Sequence, residues 1–110
     1  MWPGVCVCVC QCLLTTYLCV CSTMVNFPLT DLDVGKYRAA GTAVNVECGT
    51  VYDLVSCSNH YGGLGGGHYT AYGRITDTQW AEFDDSSARP CTASKVQSSA
   101  AYVLFYMRRR

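Results

Sequence analysis

The sequence predicts an α+β domain, with antiparallel β-sheet dominating residues 24–108. Two observations carry that reading. Short runs rich in β-branched and aromatic residues alternate with turn-forming residues across this stretch. Helix signals are weak and confined to residues 94–101, where the chain has room for a turn or two. A third observation sets the start of the domain: residues 1–22 carry no charge, and the texture changes only after them.

The first stretch, MWPGVCVCVCQCLLTTYLCVCS, holds six of the nine cysteines: Cys6, Cys8, Cys10, Cys12, Cys19 and Cys21. A secretory leader would need a basic segment before its apolar run, and none precedes this one. A membrane span would need about 20 apolar residues. The run from Val5 to Cys21 is shorter and is broken by Gln11, Thr15 and Thr16. In an extended chain, Cys6, Cys8, Cys10 and Cys12 fall in a row on one face, which is a poor match to the converging spacing of a thiolate zinc site. Alternating Val-Cys is also what a GTGTGT nucleotide repeat encodes. The favoured expectation is repeat or intron sequence joined to a domain that begins near Thr23.

The elements of the domain follow in order. Phe27-Pro28-Leu29 with Leu32 reads as an extended lead-in and a turn. Residues 51–56 (VYDLVS) form a short strand. Gly62-Gly63-Leu64-Gly65-Gly66-Gly67 is a glycine-rich loop. Residues 68–75 (HYTAYGRI) form a strand, residues 76–79 (TDTQ) a turn, and residues 80–83 the return strand. Residues 102–106 (YVLFY) form the last strand. Trp80, Phe83, Tyr102, Leu104 and Tyr106 are expected in the core. Tyr69 and Tyr72 differ in parity, so one packs inward and the other faces the opposite side.

Composition narrows the function. Half the residues are hydrophobic and 15% are charged, which suits a folded domain. Eight basic and eight acidic residues cancel, leaving no basic stripe for nucleic acid. Arg108, Arg109 and Arg110 are the one charge cluster and read as a solvated chain end. Cys48, Cys57 and Cys91 are scattered, so no disulfide framework is expected and the body of the chain reads as cytosolic.

Chemistry concentrates on one hairpin. His68 begins one strand, Asp84 ends its partner, and the turn lies midway between them. An antiparallel pairing therefore brings both to the open end, within side-chain reach. A histidine beside an aspartate can act as a general base with its orienter. The same pair can also be an ordinary surface hydrogen bond, and spacing alone leaves both readings open. The glycine run is equally open between a flexible connector and a loop that admits a ligand. It is not a phosphate-binding loop, because no Gly-Lys-Ser/Thr follows and it leads into a strand.

Asn59-His60-Tyr61-Gly62, Gly66-Gly67-His68-Tyr69-Thr70-Ala71-Tyr72, Trp80, Phe83-Asp84-Asp85-Ser86-Ser87 and the closing Ala101-Tyr102-Val103-Leu104-Phe105-Tyr106 resemble, in order and spacing, the histidine box of ubiquitin-specific proteases. The NHYGGLGGGHYTAY string is similar to members that also carry DUSP and ubiquitin-like domains. The resemblance implies the antiparallel-sheet half of a papain-like cysteine protease fold, with residues 23–110 as the C-terminal part of the catalytic domain and residues 1–22 outside it. It implies His68 as the catalytic histidine, Asp84 as the third triad member and Asp85 as a neighbour able to share that role. It implies that Gly65, Gly66, Gly67 and Tyr69 contact the C-terminal tail of ubiquitin. His60, which precedes the loop, reads as loop-positioning or structural rather than as the base.

The family's cysteine box, a Gly-Asn-Thr-Cys-Phe/Tyr segment at a helix start, has no counterpart in these 110 residues, and neither do its zinc-ribbon cysteine pairs. Cys57 and Cys91 read as small hydrophobes. The expectation is therefore a base and its orienter without their nucleophile, inactive alone. The implied partners are ubiquitin and ubiquitinated proteins, with no metal, cofactor, nucleic acid or membrane, in the cytoplasm and/or nucleus.

Overall fold

The computed structural model describes residues 5–9 (backbone only), 24–37, 49–63 and 65–109. The expectations for Cys10, Cys12, Cys19, Cys21, Cys48, Leu64 and Arg110 fall outside the described residues.

The strands are β1 (Val5–Val9), β2 (Leu32–Asp33), β3 (Val51–Gly63), β4 (Gly66–Arg74), β5 (Trp80–Asp84), β6 (Ser87–Cys91) and β7 (Ala101–Arg108). A 3-10 turn spans Gly35–Tyr37, and one short helix, α1, spans Ala93–Val96. Among the described residues the strands form one antiparallel sheet in the order β1-β7-β3-β4-β5-β6. β2 pairs with the first two residues of β3, beyond the reach of β4.

The long strand β3 is the spine, with β7 on one side and β4 on the other. It extends well past the expected residues 51–56, through Asn59 and His60 to Gly63. The glycine run is correspondingly not a loose loop. Gly62 pairs with Gly67 and Gly63 with Gly66, so the glycines form the tip of a paired hairpin. Gly62 adopts φ +105°, a backbone region that side chains disfavour.

One face of the sheet carries the core. Leu54, Cys57, Tyr72, Trp80, Leu104 and Tyr106 are buried there, together with Phe27 from the lead-in and Val96 from α1. Each large apolar side chain buried in this way contributes about 1.5–3 kcal/mol. A register shift between Leu54 and Ser56 against β7 keeps Leu54 and Cys57 on the same face despite their odd spacing. The lead-in is tied down by hydrogen bonds. The Tyr106 hydroxyl donates to the Pro28 carbonyl at 2.6 Å, and the Gln97 amide donates to the Phe27 carbonyl at 2.5 Å.

Several expectations need correction. Phe83 is 39% exposed, because β5 alternates and Trp80 takes the inner face. Its ring lies over Gly73, where an added Cβ would come within 3.0 Å. Tyr102 is only half-buried. β6 (SARPC) has no counterpart among the elements read from the sequence, and it contains Pro90. It forms at the outer edge of the order, where a residue without an N–H is tolerated. Arg109, though exposed, is not a free end. It grips Asp53 through Nε and Nη2 at 2.9 and 2.5 Å and reaches Asp31 at 2.7 Å. Cys57 is buried and Cys91 half-buried against the core.

Candidate functional site

The turn at Thr76 to Gln79 closes the β4–β5 hairpin, with Ile75 and Thr76 donating to the Gln79 carbonyl. From there the register runs outward to Ala71 opposite Phe83. Continuing it places Thr70 opposite Asp84, so His68 is a diagonal neighbour of Asp84 on the same face. Diagonal pairs lie about 7–8 Å apart at Cα, within reach of long side chains. Here the gap is bridged: His68 Nε2 lies 2.6 Å from Asp84 Oδ1.

The chemistry of this contact assigns the ring. An ionised carboxylate only accepts, so Nε2 carries the hydrogen and donates it to Asp84. In the neutral imidazole Nδ1 then keeps its lone pair. It has no hydrogen-bond partner among the described residues. Both side chains are about half exposed, at 51% and 53%. Asp85 follows in a tight turn with φ +47°, a conformation aspartate tolerates. Its carboxylate lies near the pair but does not bond the ring. Among the described residues, His68, Asp84 and Asp85 are the one group with ligand atoms close enough to converge on an ion, within 4.8 Å. Within this group the His68 ring already spends Nε2 on Asp84.

The surroundings divide by face. His68 shares the core face with Tyr61, its register partner on β3, which is 43% exposed. Beneath them Asn59 is fully buried and donates through Nδ2 to Thr70 Oγ1 at 3.1 Å. Deeper still, Tyr72 is buried, and burial with the nearby Glu82 pushes its hydroxyl up to about 12. Tyr69 lies on the opposite face from His68 and is 56% exposed. Its ring packs at a tilt against His60 at 4.8 Å, and Tyr102 closes the group at 5.7 Å from His60. Gly65 and Gly66 border open space, whereas a Cβ on Gly67 would collide with His60 Nε2 and the Tyr61 carbonyl. Of the residues expected at the site, the structure therefore joins His68 to Asp84, sets Asp85 alongside, and leaves Tyr69 behind the sheet. Asn59, Thr70 and Tyr61 went unassigned from sequence. Their signal was parity with His68 across β3 and β4, legible only once β3 is known to reach Gly63.

The sequence model of the ubiquitin carboxyl-terminal hydrolase family matches residues 21–106. The chain belongs to that family. Ubiquitin carboxyl-terminal hydrolase 9 of Arabidopsis thaliana is 51% identical over 89 residues, covering 80% of this chain and 9% of the relative. Ubiquitin carboxyl-terminal hydrolase 15 of Homo sapiens is 46% identical over 88 residues, covering 78% of this chain and 8% of the relative. The chain thus spans about a tenth of these ubiquitin carboxyl-terminal hydrolases. Among solved structures, the SAGA Ubp8/Sgf11/Sus1/Sgf73 DUB module matches with a TM-score of 0.74 at 27% identity, over 98% of this chain and 24% of that one. A form of that module bound to monoubiquitin matches with a TM-score of 0.67 at 30% identity, over 81% of this chain and 19% of that one. These likenesses bear out the papain-like, antiparallel-sheet part of a ubiquitin carboxyl-terminal hydrolase domain.

Proposed function

We propose that this chain supplies the general base and its orienting carboxylate to a thiol-dependent deubiquitinase, which cleaves the (iso)peptide bond after the C-terminal glycine of ubiquitin. The observation that carries the proposal is the 2.6 Å contact of His68 Nε2 with Asp84, which leaves Nδ1 outside that hydrogen bond. Asp84 holds the ring tautomer and stabilises the imidazolium. Nδ1 accepts the proton of a cysteine thiol as the sulfur attacks the carbonyl, then donates it to the leaving amine. Water hydrolyses the resulting thioester, with the base taking its proton. The nucleophile comes from outside these 110 residues, since none of the nine cysteines stands in a cysteine-box context. Gly65, Gly66 and Gly67 contact the ubiquitin tail in this proposal. The open space around Gly65 and Gly66 supports that role. Membership of the subgroup with DUSP and ubiquitin-like domains, and a cytoplasmic or nuclear site, belong to the same proposal.

The test has two arms. The chain alone is expected to leave a fluorogenic ubiquitin substrate uncleaved. Addition of a family segment bearing a cysteine box is expected to give turnover that His68→Ala and Asp84→Ala each abolish. Turnover by the chain alone, lost in His68→Ala, overturns the missing nucleophile; restored turnover indifferent to His68 overturns the base.

The missing cysteine box favours one second reading, a ubiquitin-binding fragment without chemistry. Titration with isotope-labelled ubiquitin decides it, and unchanged ubiquitin resonances at millimolar chain reject it.

A further inference from the structure

Asn59 and His60 are consecutive on β3, so they face opposite sides of the sheet. Each grips β4. On the core face Asn59, fully buried, donates to Thr70 Oγ1 at 3.1 Å and accepts the Cys57 thiol at 3.5 Å. On the other face the His60 imidazole lies against the bare Cα of Gly67, leaving no room for a Cβ there, and packs at a tilt against Tyr69. His68 stands between Gly67 and Tyr69, and Thr70 comes one residue later. The two contacts therefore bracket its backbone from both faces. His60 Nδ1 is buried and makes no hydrogen bond among the described residues. The ring is held by packing, so its contribution is one of shape.

We infer that Asn59 and His60 form a two-sided clamp on β4, and that His60 is a positioning residue for the His68–Asp84 pair. The inference rests on the reading of that pair as base and orienter. The mechanism is geometric. His68 meets Asp84 only on a diagonal, a contact that depends on how β4 is set at residues 67–70. Tyr61 pairs with His68 and Asp84 meets its ring, both on the core face. The His60 ring fills the space over Gly67 on the other face and keeps the strand from shifting that way. The contact uses the face and edge of a planar ring and no hydrogen bond, so phenylalanine is expected to replace it and alanine is not.

The readout is the imidazole proton on His68 Nε2, followed by NMR on the whole chain. It reports the Asp84 hydrogen bond whether or not catalysis occurs, so failure here is separable from failure of the deubiquitinase reading. In the wild type this proton is expected to be shifted downfield and slow to exchange. His60→Ala is expected to speed its exchange about tenfold or more, as loss of a charge-assisted hydrogen bond does. His60→Phe is expected to stay near the wild-type rate. A folded His60→Ala with unchanged exchange overturns the inference, as does a folded His60→Phe that exchanges as fast as the alanine variant. Should His60→Ala fail to fold, His60→Leu takes its place with the same expectation. If both unfold, His60 is a folding element and the positioning role is rejected.

Discussion

His68 and Asp84 meet across a diagonal of the β4–β5 hairpin, with Nε2 2.6 Å from Oδ1, at the end of the face that carries the core. That placement has two consequences. The pair stands on a rigid sheet, and it remains about half exposed, so its contact contributes little to holding the sheet together.

Replacing either partner should therefore be nearly silent in folding. Exposed ion pairs contribute about 0–1 kcal/mol. Asp84→Asn and His68→Gln are each expected to change unfolding free energy by less than about 1 kcal/mol in urea titrations. A markedly larger loss would mark the pair as structural and remove its main claim to chemistry.

The glycines of the hairpin tip should separate sharply. Gly67→Ala sets a methyl group against His60 and the Tyr61 carbonyl, and overpacking of this kind costs about 1–3 kcal/mol. Gly66→Ala meets nothing within 4 Å and should cost no more than about 0.5 kcal/mol. Urea midpoints of the two variants, side by side, check the contrast.

The Arg109 cluster predicts a dependence on acid. The Arg109 guanidinium beside Asp53 and Asp31 holds both carboxyls below the usual range. Carboxyls lowered in the folded state contribute stability that is present above their unfolded values, near pH ~4, and lost as pH falls through the folded ones. Arg109→Gln is expected to lower stability at neutral pH and to flatten its decline below pH ~4. Asp33 keeps its own acid dependence in that variant, since Thr50 and the Gly35 amide hold it low. Urea titrations from neutral to acid pH measure both slopes.

Tyr72 predicts the opposite limb. Its hydroxyl is pushed up to about 12, chiefly by burial. A raised folded value means stability fully present below the unfolded value, near pH ~10, and lost as pH rises through about 12. Tyrosinate absorbance should show a late-titrating component that coincides with alkaline unfolding, and Tyr72→Phe should reduce it.

Local pattern made much of this legible. Alternation and turn chemistry at residues 68–83 specified the hairpin, and the hairpin dictated that His68 and Asp84 share an end. Membership of the ubiquitin carboxyl-terminal hydrolases was written in the order and spacing of the same residues. Non-local pairing decided the rest. β3 reaches Gly63 because β4 and β7 pair with it, and no single strand reveals that length. The register shift between Leu54 and Ser56 put Leu54 and Cys57 on one face, against simple alternation. Phe83 faces outward because Trp80 had the better neighbours inside. Arg109 found Asp53 and Asp31, 56 and 78 residues away. The sequence by itself thus determined the sheet class, the family and the pairing of His68 with Asp84, all set by residues near one another in the chain. Only the tertiary structure decided which ring nitrogen is left free, which tyrosine lies behind the sheet, and which residues brace His68 from either face. Those depend on strand register and on contacts that come into being only when distant strands meet.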